Sequence, residues 1–161
     1  YIPSVEIGVA DFLKRGPLGF PVVDVAVTLT DGSFHAVDSS DMAFRQAGRL
    51  GMSEGMPKCS PVLLEPVMAV EITVPSDATA RINGLIPQRR GQILGFDARD
   101  GWPGWDVVEA HIPASEMDDL IVELRSVTAG VGTYKAHFDH LQELVGKLAD
   151  QVLAAHREAA E

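Results

Sequence analysis

The sequence predicts an α+β protein in two parts, a short α/β element over residues 1–60 and a fuller α+β unit beyond it. Three observations carry this reading. Apolar residues recur at helical spacing over 3–14, 39–54 and 141–157. Runs rich in β-branched residues occupy 22–30, 67–74, 91–96, 105–112 and 132–139. Two prolines, Pro61 and Pro66, bracket the apolar Val62-Leu63-Leu64 between the parts, so residues 61–66 read as a stiff linker.

Taken in order, Ile2, Val5, Val9 and Phe12-Leu13 give an amphipathic first helix, stopped by Gly16-Pro17. Val22 to Thr30 alternates as a strand, with Val23, Val25, Val27 and Leu29 on one face. Asp31-Gly32 supplies a pair that tolerates positive φ, so the chain turns or bulges there. Ser39 or Ser40 caps the next helix, which Gly55-Met56-Pro57 ends. Beyond the linker, residues 67–139 run strand, helix, strand, strand, helix, strand, with Ser76 as the expected cap of the first helix. That β-α-β-β-α-β order is the ferredoxin-like split motif. Residues 140–161 form the C-terminal segment, with Leu141, Leu144, Val145, Leu148, Val152 and Leu153 on one helical stripe.

Composition narrows the function classes. The 161 residues carry a net charge of −10, spread as −3, −4 and −3 over residues 1–65, 66–138 and 139–161. Phosphate binding needs clustered Lys and Arg, so general nucleic-acid affinity is excluded and any RNA contact is local. No apolar run approaches a membrane span, and a membrane partner is not expected. The single cysteine, Cys59, rules out an internal disulfide framework and suits a reducing, cytoplasmic setting. The chain begins at Tyr1, directly in a helical pattern, which leads us to expect preceding residues.

Three blocks in one order carry a family resemblance: Pro21-Val22-Val23-Asp24, then Asp31-Gly32-Ser33-Phe34-His35, then Val37-Asp38-Ser39-Ser40-Asp41-Met42-Ala43-Phe44. They resemble the fourth domain of elongation factor G, the translocation GTPase of bacterial ribosomes. Pro61 to Pro66, Arg89-Arg90-Gly91-Gln92-Ile93, Leu124-Arg125-Ser126 and Gly132-Thr133-Tyr134 are similar to that family's fifth domain. The resemblance covers nearly the whole chain. It implies a domain IV-type element incomplete at its N-terminus, followed by a ferredoxin-like domain V. It further implies that Gly32, Ser33, Phe34 and His35 form a tip that meets tRNA and mRNA at the decoding region. Arg89 and Arg90 would touch ribosomal RNA. This portion would act as a mechanical arm in translocation, and GTP with Mg²⁺ would bind a separate N-terminal domain of the parent. A paralogue in ribosome recycling, rescue or regulation is the alternative, as is an α+β ligand- or protein-binding module that has lost ribosome contact. Gln88 stands where the family has a further arginine, and Val131 where many members have another.

Other chemistry reads less well. His35, Asp38 and Ser39 or Ser40 contain the residue types of a hydrolase, but no Gly-x-Ser-x-Gly elbow is present and capping accounts for the serines. In His137-Phe138-Asp139-His140, alternation puts His140 on the other face from His137 and Asp139, so no metal site is expected there. Asp139 is expected to cap the terminal helix instead. Trp102 and Trp105 read as packing at a hairpin. The chain has no Gly-x-x-x-x-Gly-Lys-Ser/Thr loop and no Gly-x-Gly-x-x-Gly, so neither enzymatic activity nor a cofactor is expected of it. A lone strand at 22–30 offers unpaired edges, which predicts self-association or cover by residues 61–66 or the terminal helix.

Overall fold

Helical spacing and strong breakers place the first two helices close to where expected, and the later three start three or more residues further on. The computed structural model describes residues 1–160; Glu161, the end of the expected C-terminal segment, lies outside the described residues. Helix α1 spans Ile2–Leu13 and α2 spans Asp41–Gly55, capped by the Ser40 hydroxyl, which accepts from the Ala43 N–H. A 3₁₀ turn, Met56–Cys59, follows. Strand β1 runs Leu63–Pro75, α3 Thr79–Gln88, β2 Gln92–Ala98, β3 Trp105–Pro113, α4 Leu120–Val127, β4 Thr133–Leu144, and α5 Gly146–Ala159. The chain divides into two compact units: residues 1–63 with 144–161, and residues 64–143.

In the second unit the four strands form one sheet in the order β2-β3-β1-β4, with antiparallel β1–β3 and β2–β3 pairs. The expected ferredoxin-like order is therefore present. Val70 and Ile72 stand directly opposite Ala110 and Val108 and share one face with Val74 and Ile112, and α3 and α4 lay Ile82, Leu85, Ile86, Leu120 and Leu124 on it. Burying such side chains contributes roughly 1.5–3 kcal/mol each before entropy is charged against it. Odd-numbered β3 residues, His111 among them, point to the opposite face. Ser76 lies in a 3₁₀ turn and donates to Asp106 Oδ1 instead of capping α3; Thr79 donates to Oδ2 of the same carboxylate at 2.7 Å.

In the first unit α1 crosses α2 at very close range. A Cβ on Gly8 would meet the Arg45 carbonyl oxygen at 2.0 Å, and one on Gly48 the Val5 carbonyl at 2.7 Å. Only glycine lets the two backbones approach this far. The buried Ser4 hydroxyl donates to Asp41 Oδ1. Helix α5 joins the same unit: Leu144, Leu148, Ala149 and Leu153 pack with Leu63 and Phe20, and His156 stacks on Phe20 and bonds the Gly19 carbonyl at 2.7 Å.

Several expectations need correction. Residues 22–30 form no strand, because no partner strand lies beside them among the described residues, and Asp24 breaks the run with a left-handed φ of 56°. Cover by α5 reaches Gly19 and Phe20, and Val23, Val25, Val27 and Leu29 stay exposed. Leu141 and Leu144, expected on the terminal helix, belong to β4, which pairs with β1 and so outlasts the local pattern. Asp139 is consequently a strand residue, six positions before the α5 cap at Val145. Gly32 is absent from the positive-φ residues and residues 31–32 form no turn, the Asp31 carboxylate accepting from the Gly32 N–H at 2.8 Å; the turn falls at residues 36–38.

Candidate nucleic-acid interface

The loop between residue 31 and α2 is short, polar and held from beneath. Ser39 closes it: its hydroxyl accepts from the His35 N–H at 2.9 Å, and its own N–H donates to the His35 carbonyl at 3.1 Å. Ser40, one residue on, starts α2. Both serines are thus spent on the backbone, which accounts for them without catalysis. Phe34 leans toward Tyr1, ring centres 6.2 Å apart, and Tyr1 in turn stacks on Phe44 at 4.5 Å. These rings lie at the α1 and α2 starts, so the loop's root is seated on the helix pair.

What the loop presents follows from that anchoring. Phe34 is 67% exposed, and Gly32, Ser33 and His35 are also exposed. Among the described residues the His35 ring has no hydrogen-bond partner. The expectation that His35 is displayed and lacks a buried partner is met. An aromatic face and an imidazole on a fixed backbone can stack on an unpaired base or bond a sugar or phosphate oxygen. A Cβ at Gly32 would meet nothing within 4 Å, so this glycine leaves the tip slim without a steric demand from the fold.

Arg89 and Arg90 lie in the other unit and do not join this loop. Arg89 donates to Glu116 and Asp118 carbonyls at 2.6 and 2.7 Å and forms a two-nitrogen fork on Glu123 Oε2. Its side chain is 13% exposed. Arg90 holds Glu65 with two nitrogens at 2.9 and 3.0 Å and Glu116 at 2.9 Å. The hydrogen bonds that Arg90 donates to Glu65, ahead of that to Glu116, push its pKa further above its ordinary value. Both guanidinium groups therefore tie α3 to the β3–α4 connection and to β1. Arg90 accepts a left-handed φ of 54° at this corner.

A cluster that local sequence does not reveal lies on the outer sheet face. His111 Nε2 stands 3.5 Å from Asp139 Oδ2, and His140 Nδ1 2.7 Å from the same oxygen. Hydrogen bonding to His140 holds the Asp139 carboxyl below its usual range, and the same bond raises the His140 pKa. His111 is distant in sequence, so its spacing carries no signal. At the β2–β3 hairpin, Arg99 stacks over Trp102 at 3.7 Å and Trp105 meets Trp102 edge-on, so hairpin packing of the tryptophans is observed.

Comparison with known proteins divides the chain near residue 61. Residues 1–60 match the family described as elongation factor G, domain IV, and residues 62–152 match the elongation factor G C-terminus. An elongation factor G-like protein from Synechocystis sp. (strain ATCC 27184 / PCC 6803 / Kazusa) is 58% identical over 149 residues, covering 92% of this chain and 22% of that protein. A crystal structure from Thermus thermophilus aligns with a TM-score of 0.89 at 33% identity, covering 98% of this chain and 24% of that one. The chain thus spans about a quarter or less of these relatives' length. With residues 1–60 and 62–152 matched in order, the chain belongs to the elongation factor G family, as a C-terminal portion of an elongation factor G-like protein.

Proposed function

We propose that this chain is the ribosome-contacting arm of an elongation factor G-like translation GTPase, working in the cytoplasm on the movement of tRNA and mRNA. The observation that carries the reading is the tip: Phe34 and His35 are displayed on a backbone that Ser39 and the Tyr1–Phe44 stack hold in place. Such a tip reads RNA by stacking and a few directed hydrogen bonds, which suits a chain of net charge −10. Arg89 and Arg90 carry little of the proposal, since carboxylates and carbonyls already occupy both. GTP hydrolysis would belong to another part of the parent protein.

The test uses the full-length protein on ribosomes. His35→Ala should slow tRNA movement at least tenfold, about 1.4 kcal/mol of barrier, while GTP hydrolysis and the folded state persist. Equal translocation rates would remove the tip from the mechanism. A second reading, a paralogue in recycling, rescue or regulation, draws on the "-like" designation of the Synechocystis protein and on Gln88 and Val131 where the family has arginines. Ribosome splitting or stalled-ribosome release that depends on His35, with translocation unaffected, would select it.

A further inference from the structure

We propose that His111, Asp139 and His140 form a binding site for one divalent transition-metal cation of the Zn²⁺ or Ni²⁺ type. The topology builds the site. In the sheet order β2-β3-β1-β4, His111 on β3 and the pair on β4 are separated by β1. The residue directly opposite His111 in the β1–β3 ladder is Ala69. Opposed residues in an antiparallel ladder share a face, so only a methyl group stands beside the His111 ring on its β1 side. The longer side chains reach over it, and the two imidazoles come to 5.4 Å between ring centres, edge to face.

The donor set is chemically specific. Two imidazole nitrogens and one carboxylate oxygen, all within 4.8 Å of one another, are borderline ligands that suit Zn²⁺, Ni²⁺ or Co²⁺ better than Mg²⁺. Ligands about 2.0–2.1 Å from such an ion stand roughly 3 to 3.5 Å apart; Asp139 Oδ2 is 3.5 Å from His111 Nε2 and 2.7 Å from His140 Nδ1, so a small separation of the latter pair would admit the ion. An outer partner is also present. His140 Nε2 lies 3.4 Å from Gln142 Oε1, which can accept the Nε2 proton and orient the ring when an ion takes the place of the Nδ1 proton that Asp139 otherwise accepts. All three side chains are partly exposed, so an ion can enter and retains open positions for water or a further donor.

The experiment is titration calorimetry on the untagged 161-residue chain with Zn²⁺, Ni²⁺ and Mg²⁺ chlorides. One Zn²⁺ should bind per chain, and Mg²⁺ should not compete. His111→Gln and Asp139→Asn should each weaken Zn²⁺ at least tenfold, whereas His137→Gln and Cys59→Ser should change it by less than about twofold. Absence of one-to-one binding, or an unchanged affinity in a folded His111→Gln chain, overturns the site. A readout independent of variant folding is histidine ring resonances in the unaltered chain at substoichiometric Ni²⁺. Those of His111 and His140 should broaden first; earlier broadening of His35 or His156 overturns the assignment.

Discussion

His35 keeps both backbone groups on Ser39 and its ring in solvent, so side chain and loop shape are separable. His35→Ala should leave thermal stability within about 0.5 kcal/mol, as for other exposed positions. Ser39→Ala removes the acceptor of the His35 N–H and should impair translocation through a loosened tip while His35 itself is intact. A stability loss in His35→Ala well beyond that figure would show the ring to be structural. Gly8 makes the opposite case. Its missing Cβ would overlap the Arg45 carbonyl at 2.0 Å, so Gly8→Ala should destabilise the first unit by at least about 2 kcal/mol in denaturant unfolding. Gly32→Ala, with open space around it, should be near neutral.

At the scale of elements, the Arg89 fork joins the end of α3 to the turn before α4 and to Glu123 on α4. Removing it leaves two carbonyls and a carboxylate without their donor. Arg89→Ala should therefore cost the second unit about 2–3 kcal/mol, read as a lower urea midpoint. A destabilisation under about 0.5 kcal/mol, with a reduced salt slope of ribosome binding in the parent, would return Arg89 to the RNA-facing residues. Residues 25–30 present the contrary element, an irregular run whose Val25, Val27 and Leu29 are exposed and whose amides lack protein partners among the described residues. Such an edge recruits a second chain. Sedimentation should show concentration-dependent association, abolished by Val25→Lys with Val27→Lys; a monomer at all concentrations rejects it.

At the scale of the whole molecule, the C-terminal helix belongs to the unit where the chain begins, though it follows the other in sequence. The Leu63, Leu144 and Ala149 cluster, with Phe20, Leu148 and Leu153, depends on it. A chain ending at Glu143 should keep amide protection through the core residues 70–124 and lose it in α1 and α2. Uniform loss across both units would mean that the two fold as one.

Much of this was legible in single stretches of sequence. Helical spacing, Ser40 before an apolar run and the strand-helix order of residues 67–139 report local chain preference, and local preference needs no partner; the linker read at 61–66 is instead mostly strand, since β1 begins at Leu63 and runs through Pro66. The displayed tip was equally legible, because Asp31 to Ser40 is polar and turn-rich. Residues 22–30 mark the limit: β-branched alternation favours extension, but a strand exists only when another backbone supplies its hydrogen bonds. Pairing with β1 likewise carried β4 through residues 141–144 against their helical spacing. Only the fold brought His111 to Asp139 and His140 across Ala69, and only the fold turned Arg89 and Arg90 inward to their carboxylates. Those meetings depend on which distant residues share a sheet face, and sequence distance holds no record of that.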